Sequence, residues 1–579
     1  MVADLLAGEG RSGAQAPRGP GALRRFMLAR VARLSYPGSE AEQLLLAPQE
    51  LRTADPSFAT EIYNGHFGLA GRLAELGSES PFEIEPPSEA WARELFGFGW
   101  LRHLRAAGSE LAREQAKALV QDFVRLNRGV SGVAYEPEVV ARRAISWLSN
   151  SVVVLDSSEP RSYEAFLRAL TAQLRYLSAC YRDAPDGVPR LVTLTALIYA
   201  GLCIADQQAI VDAYVKPFCK ELDRQILPDG GHISRDPSAL VDLLLDLLPL
   251  RQCFVARDRL VPKPLSDAID RAMPMLRFFR LGDGALARFN GGGPTPTDAL
   301  ATVLAYDDIE GAPLRAAANS GYARIERGPT LLICDLAAAP PVAVSQGAHA
   351  GCLSFELSVG VHPLIVNCGS PPPDHEDWRL FARSTAAHST LVFEDTSSAQ
   401  LHGDNGGAPA ADAPLVGPPK AQGAVREEGE GIEIKGSHDG YVARFGVRHQ
   451  RRIVVAASGL LVAGEDRLAA AGSRALPDGG DYAIRFHLHP DVSAQPAPDG
   501  RSVALVLPNR VAWTLSSNAP SVTLEDSVFL ADARGPQQSS QVVLSGAVGA
   551  DVHVVWRLER EATPGAWNLT DPDDAPDAA

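Results

Sequence analysis

The sequence predicts a two-part chain: helices first, arranged as an incomplete α/α toroid, then an antiparallel β-sandwich. Three observations predict it. Apolar residues recur at helical spacing from about residue 20 to about 300. The stretch "FNGGGPTPTD" (289–298) then breaks the pattern, and beyond it the apolar period becomes two. A length of 579 residues exceeds what one hydrophobic core serves. The expected segments are a flexible 1–20, a helical 21–300, a sandwich over 315–562 and a disordered tail over 563–579.

The helical elements follow in order. "RRFMLARVARL" (24–34) is basic and amphipathic; it reads as the first helix of the domain, with an anionic membrane surface as the alternative. In "SYEAFLRALTAQLRYLSACY" the residues Tyr163, Phe166, Leu167, Leu170, Leu174 and Leu177 make one stripe. "PRLVTLTALIYAGLCIA" and "ALVDLLLDLLPL" are apolar on nearly every face and are expected to be buried, while "AIVDAYVKPFCKELDRQIL" is amphipathic again. Amphipathic helices alternating with wholly apolar ones give an outer layer around an inner one. That fits a toroid, and periodicity alone also permits a plain bundle. Polar loops, "YRDAPDGVPR" and "LPDGGHISRDP", separate them.

The strands come next. "CLSFELSV" sets Leu353, Phe355, Leu357 and Val359 against Ser354, Glu356 and Ser358. "DYAIRFHLHP" sets Tyr482, Ile484, Phe486 and Leu488 against Arg485, His487 and His489. "TLLICDLA", "HSTLVFED", "RRIVVAASGLLVAGEDRL", "SVALVLPN", "VAWTLSS", "SVTLEDSVFL" and "DVHVVWRLER" are further strands of a sandwich. Residues 402–430, rich in Gly, Ala and Pro, read as a long loop.

A net charge of −16 argues against a nucleic-acid footprint. No run approaches the length of a membrane-spanning helix, and no signal peptide is recognised. Seven cysteines without a CxxC pair, most in apolar runs, read as buried free thiols and favour a reducing compartment.

Several stretches resemble the heparinase II/III family of polysaccharide lyases: "HAGCLSFELSVGVHPLIVNCG", "FARSTAAHSTLVFED", "SHDGYVARFGVRHQRRIVVAASGLLVAGEDRL" and "RFHLHPDV", with "RSTAAHSTLVFED" the most specific. The loop "LPDGGHISRDPSAL" is similar to that family's helical-domain site loop. The resemblance implies a toroid-plus-sandwich fold and β-elimination on a uronic-acid-containing polysaccharide. Such chemistry needs a group to neutralise the carboxylate, a base, and an acid for the leaving oxygen. It implies His349 as base, Arg190 or Arg235 on the carboxylate, and His232 positioning substrate or moving the second proton. Arg383, Tyr441 and Arg448 are the implied substrate contacts. Two family positions depart from the pattern: Ala239 stands where a catalytic Tyr is expected, and Arg190 where an Asn-His pair is expected. The resemblance also implies a structural zinc on His349, Asn367 and His388. Asn367 replaces the usual Asp there and ligates zinc poorly, so the balance falls against a bound metal and no cofactor is required.

Plainer readings stand beside these. His349 and His388 also fit hydrogen-bonded strand ends, and His232 and Arg235 fit a helix cap. His487 and His489 fit a polar sheet face better than a metal site. Arg444, Arg448, Arg451 and Arg452 fit a solvated strand, and Tyr441 fits packing. The expected partner is an acidic polysaccharide, with oligomeric state open. The leading function is a lyase. The alternative is a non-catalytic glycan-binding or scaffold protein that keeps the fold. A weaker third is hydrolysis by Asp374, Glu376 and Asp377. The resemblance places the protein in the cell envelope or periplasm; the missing signal peptide places it in the cytoplasm.

Overall fold

The computed structural model describes residues 36–561 apart from 78, 127–131, 157, 309–310, 374, 404–408, 430, 473–478 and 550–551. The basic segment 24–34, the segments 1–20 and 563–579, and Asp374 therefore lie outside the described residues.

In the helical half, Val188–Cys203 and Ser238–Ala256 are buried nearly all round, as their apolar faces require. Val188–Cys203 packs against Pro137–Ser149, Gln208–Gln225 and Ser238–Ala256. Pro160–Cys180, Gln208–Gln225 and Lys263–Phe278 each bury one stripe, so they take the outer positions. A proline in the first turn starts Pro137–Ser149, Pro160–Cys180 and Val188–Cys203, where its missing N–H costs nothing. Each fully buried Leu or Val of the inner helices contributes about 1.5–3 kcal/mol. The half also carries a small hairpin, His66–Leu69 with Arg72–Glu75, which helical periodicity did not reveal.

The second half is built on two large antiparallel sheets, with a small pair, Gln400–Leu401 and Leu415–Val416, beside them. One runs Ala421–Glu428, Gly431–His438, Val447–Ala456, Leu461–Ala470, Val552–Arg560, Ala512–Ser517, Ser502–Val506, Ser493–Pro496. The other runs Ser521–Phe529, Gln537–Ala547, Asp481–Leu488, His362–Val366, Phe355–Val359, Thr330–Asp335, Tyr322–Arg327, Ala316–Ala317, with Leu391–Phe393 added beside Asp481–Leu488. Trp556 of the first sheet stacks on Phe355 of the second, centroids 5.8 Å apart and planes 5° from parallel. Gly464 makes room for that indole, since a Cβ there would lie 2.0 Å from Trp556 Cζ2.

Three strand readings need correction. The expected loop 402–430 contains a short strand, Leu415–Val416, and a full strand, Ala421–Glu428. The latter is an edge strand with little burial, so it carries no apolar period. Phe355–Val359 is buried on both faces rather than one. Its polar face meets the helical half: Gly282 N–H donates to Ser358 Oγ at 2.9 Å, and Arg288 N–H donates to Glu356 Oε2 at 3.1 Å. His487 is likewise buried, because segment 384–390 covers that face; its Nε2–H donates to the Ala386 carbonyl at 2.9 Å.

Candidate functional site: a cleft between the two halves

The loop joining Gln208–Gln225 to Ser238–Ala256 turns at Gly230, whose φ is +92° and where a Cβ would lie 1.9 Å from the Arg271 carbonyl oxygen. His232 is buried. The Ser234 N–H donates to its Nδ1 at 3.2 Å, so Nε2 carries the proton and donates to Gln225 Oε1 at 3.1 Å. Burial pushes its pKa down to about 4, which leaves the ring neutral. Arg235 is buried too. It donates to the Ser320 carbonyl at 2.8 Å, to the Ala338 carbonyl at 2.6 Å and to Asp335 at 2.5 Å, and lies over the Tyr322 ring at 4.8 Å. Asp229 accepts from the Asn319 and Ser320 N–H groups at 2.8 and 2.7 Å. The loop is thus a dock that fastens the helical half to the sheet.

A cavity of about 330 Å³ opens beside this dock, with Ala90, Arg93 and Asp236 from the helical half and His349, Ser370, Arg379 and Arg383 from the sandwich half. It contains two of the residues singled out from sequence, His349 and Arg383. His388 adjoins His349 from behind. Hydrogen bonding fixes the tautomers. His388 Nδ1–H donates to the Ser384 carbonyl at 2.8 Å, so its Nε2 is bare. His349 Nδ1–H donates to that Nε2 at 3.2 Å, and His349 Nε2, bare in turn, accepts from Ser370 Oγ at 3.0 Å. Burial pushes His388 down to about 4 and His349 well below the usual histidine range, the latter helped by His388 and Arg383. Arg383 gives its donors to the carbonyls of Ala348, Ala411 and Ser345 at 2.9, 2.7 and 2.9 Å. Burial lowers it to about 10. Its charge reaches the cleft as field rather than as a free donor.

Asp236 and Ser370 are the cleft residues that sequence reasoning missed. Asp236 Oδ1 accepts from the Ser238 N–H and hydroxyl at 2.9 and 2.7 Å. Its Oδ2 has no hydrogen bond among the described residues and faces Gly291. Burial pushes its pKa up to about 6, which equips it to exchange a proton near neutrality. The signal in sequence was the Asp-Pro-Ser start of an apolar helix, which reads equally well as a turn. A second cavity, of about 560 Å³, shares Arg93 with the first and extends the trench into the helical half between Glu138, Arg102 and Asp242.

The other sequence candidates lie elsewhere or are committed. Arg190 Nη2 donates to the Ala184 carbonyl at 3.1 Å, and its Nη1 is 3.6 Å from Asp186. Tyr441, an implied substrate contact, is instead fully buried as a packing residue, and its hydroxyl donates to the Leu391 carbonyl at 2.8 Å. Arg448 is exposed on a strand of the first sheet. Its neighbour Arg451, expected on a solvated surface, is instead buried against Asp466. His489 is 3.5 Å from Asp491. The zinc reading does not fit the residues present. Asn367 spends its amide oxygen on the Ser389 N–H at 3.0 Å and its amide nitrogen on the Arg288 carbonyl at 3.3 Å, leaving two imidazoles and no carboxylate.

Comparison with known proteins adds three findings. Residues 309–568 match the family described as "Heparinase II/III-like, C-terminal". A Caulobacter vibrioides protein named "FtsZ-localized protein C" is 32% identical over 539 residues, covering 90% of each chain. The fold is similar to the crystal structure of heparinase III, with a TM-score of 0.69, 14% identity and coverage of 93% of this chain and 89% of that one. It is also similar to heparan sulfate lyase HepC from Pedobacter heparinus, with a TM-score of 0.59, 16% identity and coverage of 93% and 87%.

Proposed function

Because the chain belongs to the heparinase II/III-like family, we propose that it is an FtsZ-associated scaffold or glycan-binding protein that keeps the lyase fold without the β-elimination chemistry. One observation carries the reading: among the described residues the cleft lining offers no phenol, and the two arginines expected on the carboxylate, Arg190 and Arg235, are bonded within the protein. Elimination needs a neutralised carboxylate, a base and an acid. His349 is present as a base, but Ala239 cannot transfer a proton, and Arg190 and Arg235 are bonded within the protein. The trench remains a surface for an acidic polysaccharide strand, with Arg93, Arg379 and Arg383 along it. The relative's name supports the association with FtsZ. The seven free thiols support a reducing, cytoplasmic setting over the envelope.

A second reading, a lyase with a rearranged acid, is favoured by one specific feature: Asp236, raised to about 6, shares the cleft with His349. Incubation with a panel of uronate polymers separates the two. The scaffold reading expects binding or none, no ultraviolet-absorbing unsaturated sugar, and a fluorescent fusion that overlaps FtsZ in cells. Accumulation of unsaturated product, lost in His349→Ala, would overturn it in favour of the lyase.

A further inference from the structure

We propose that Ser370, His349 and His388 form an acyl-transfer relay acting on short-chain carboxylic esters, an activity that does not depend on the scaffold reading. The geometry is directional at every link. Ser370 O–H points to His349 Nε2 at 3.0 Å, His349 Nδ1–H points to His388 Nε2 at 3.2 Å, and His388 Nδ1–H is anchored on the Ser384 carbonyl at 2.8 Å. That is a nucleophile, a base and a group orienting the base, the arrangement by which a hydroxyl is activated for attack on an acyl carbon. Ser370 is held in place by its own N–H, which donates to the Gly292 carbonyl at 2.9 Å.

Two further features suit the chemistry. The cavity in front of Ser370 is lined by Gly291 and Gly347, whose backbone N–H groups make no hydrogen bond among the described residues. Both glycines line the cavity with Ser370, and Arg383 in the same lining adds positive field for an oxyanion. A volume of about 330 Å³, walled in part by Pro371 and Pro373, admits a small acyl group and restricts a long one.

The steps balance without a redox partner. Ser370 Oγ forms a bond to the ester carbonyl carbon as His349 Nε2 takes the hydroxyl proton. The carbon–oxygen bond to the leaving group breaks as that proton passes to the departing alkoxide, giving an alcohol and an acyl-Ser370. Water then adds to the acyl carbon, gives one proton to His349, and the acid leaves as that proton returns to Ser370 Oγ. Burial keeps the His349 imidazole neutral, the form that takes a proton. A neutral imidazole in the orienting position holds the tautomer without adding charge. Turnover is therefore slow, and covalent trapping is the sensitive readout.

The full chain is treated with an alkyl fluorophosphonate and mapped by peptide mass. The expected result is one adduct on Ser370, absent in Ser370→Ala, with the labelling rate of His349→Gln reduced by about 100-fold or more. His388 acts through His349, so His388→Ala should slow labelling, while His388→Gln, whose amide oxygen can still accept the His349 Nδ1–H, should restore it. A matched pair of substrates, an aryl acetate and an O-acetylated polysaccharide, distinguishes a simple ester from a glycan-borne one. Unmodified Ser370 in the wild-type protein, which needs no variant to fold, would overturn the proposal. So would labelling at the wild-type rate in His349→Gln.

Discussion

Arg235 is the sharpest test of whether the polar loop works on a ligand or holds the molecule together. Arg235→Met keeps most of the side-chain volume and removes the charge. Asp335 is then left buried without its cation, the situation that costs about 3–5 kcal/mol. The Ala337 N–H at 3.0 Å and Asn290 Nδ2 at 3.2 Å still support the carboxylate and pull the figure toward the lower end. The Ser320 and Ala338 carbonyls, bonded to Arg235 at 2.8 and 2.6 Å, lose a donor and pull it back up by about 1 kcal/mol each. Burial already raises the Asp335 carboxyl, and without Arg235 it rises further. A raised carboxyl keeps its proton in the folded chain where the unfolded chain has released it. Its contribution is present below the unfolded value of about 3.9 and is lost as pH climbs through the folded one. The deficit of Arg235→Met should accordingly be larger at pH 8 than at pH 5, and Arg235→Met combined with Asp335→Asn should recover at least about 2 kcal/mol. Urea unfolding followed by tryptophan fluorescence measures all of this. A loss below about 1 kcal/mol at pH 8, with no recovery in the double variant, would refute the docking account.

Two other expectations concern the buried polar groups. His232 and His388 are held neutral at about 4, below the unfolded value of about 6.5, so the unfolded chain takes up protons first as pH falls. Each should cost about 2 kcal/mol by pH 5 relative to pH 8, and His232→Gln should flatten the acid limb of a stability–pH curve; an unchanged limb contradicts the assignment. Asp466 accepts from His449 at 2.7 Å, from Arg451 at 2.8 and 3.1 Å and from Trp556 at 2.9 Å. Asp466→Ala orphans all three donors inside the sandwich and should cost about 3–5 kcal/mol with loss of the near-ultraviolet circular dichroism of Trp556; a change within about 1 kcal/mol sinks the idea.

The change of period near residue 290 was enough to read helices before strands, because burial on one stripe or one face writes itself directly into the order of apolar residues. Val188–Cys203 and Ser238–Ala256 were legible for the same reason. The pattern misled where a surface is buried against polar partners. Glu356 and Ser358 alternate like solvent-facing residues, yet they meet Arg288 and the Gly282 N–H. Arg451 sits in an arginine-rich stretch and is nonetheless buried, because Asp466 lies on the adjacent strand directly opposite. Sequence alone does not say which neighbour a charge will find. Of the candidate site, His349 and Arg383 were legible only through the resemblance, since an isolated His or Arg at a strand end carries no local signature. Asp236 and Ser370 were hidden for a different reason. A carboxyl next to proline and a serine after glycine are ordinary turn residues until the opposite half of the molecule closes over them.

That closure also accounts for how, on the scaffold reading proposed above, the fold would persist without elimination chemistry. The cleft exists because Arg235 and Asp335, Arg288 and Glu356, and Asn290 with Tyr322 bind the helical half to the sheet. Asn290 reaches further, accepting the His349 N–H at 3.4 Å, so the seam also sets the position of the imidazole at the head of the relay. Groups in such a seam are costly to remove one at a time, because each leaves a partner buried and unpaired. Ala239, at the position the resemblance assigns to a catalytic phenol, is buried in the first turn of Ser238–Ala256, and its methyl adds none of these bonds. On the scaffold reading the trench stays in place, bordered by Arg93, Arg379 and Arg383, with a hydroxyl and two imidazoles aligned in it.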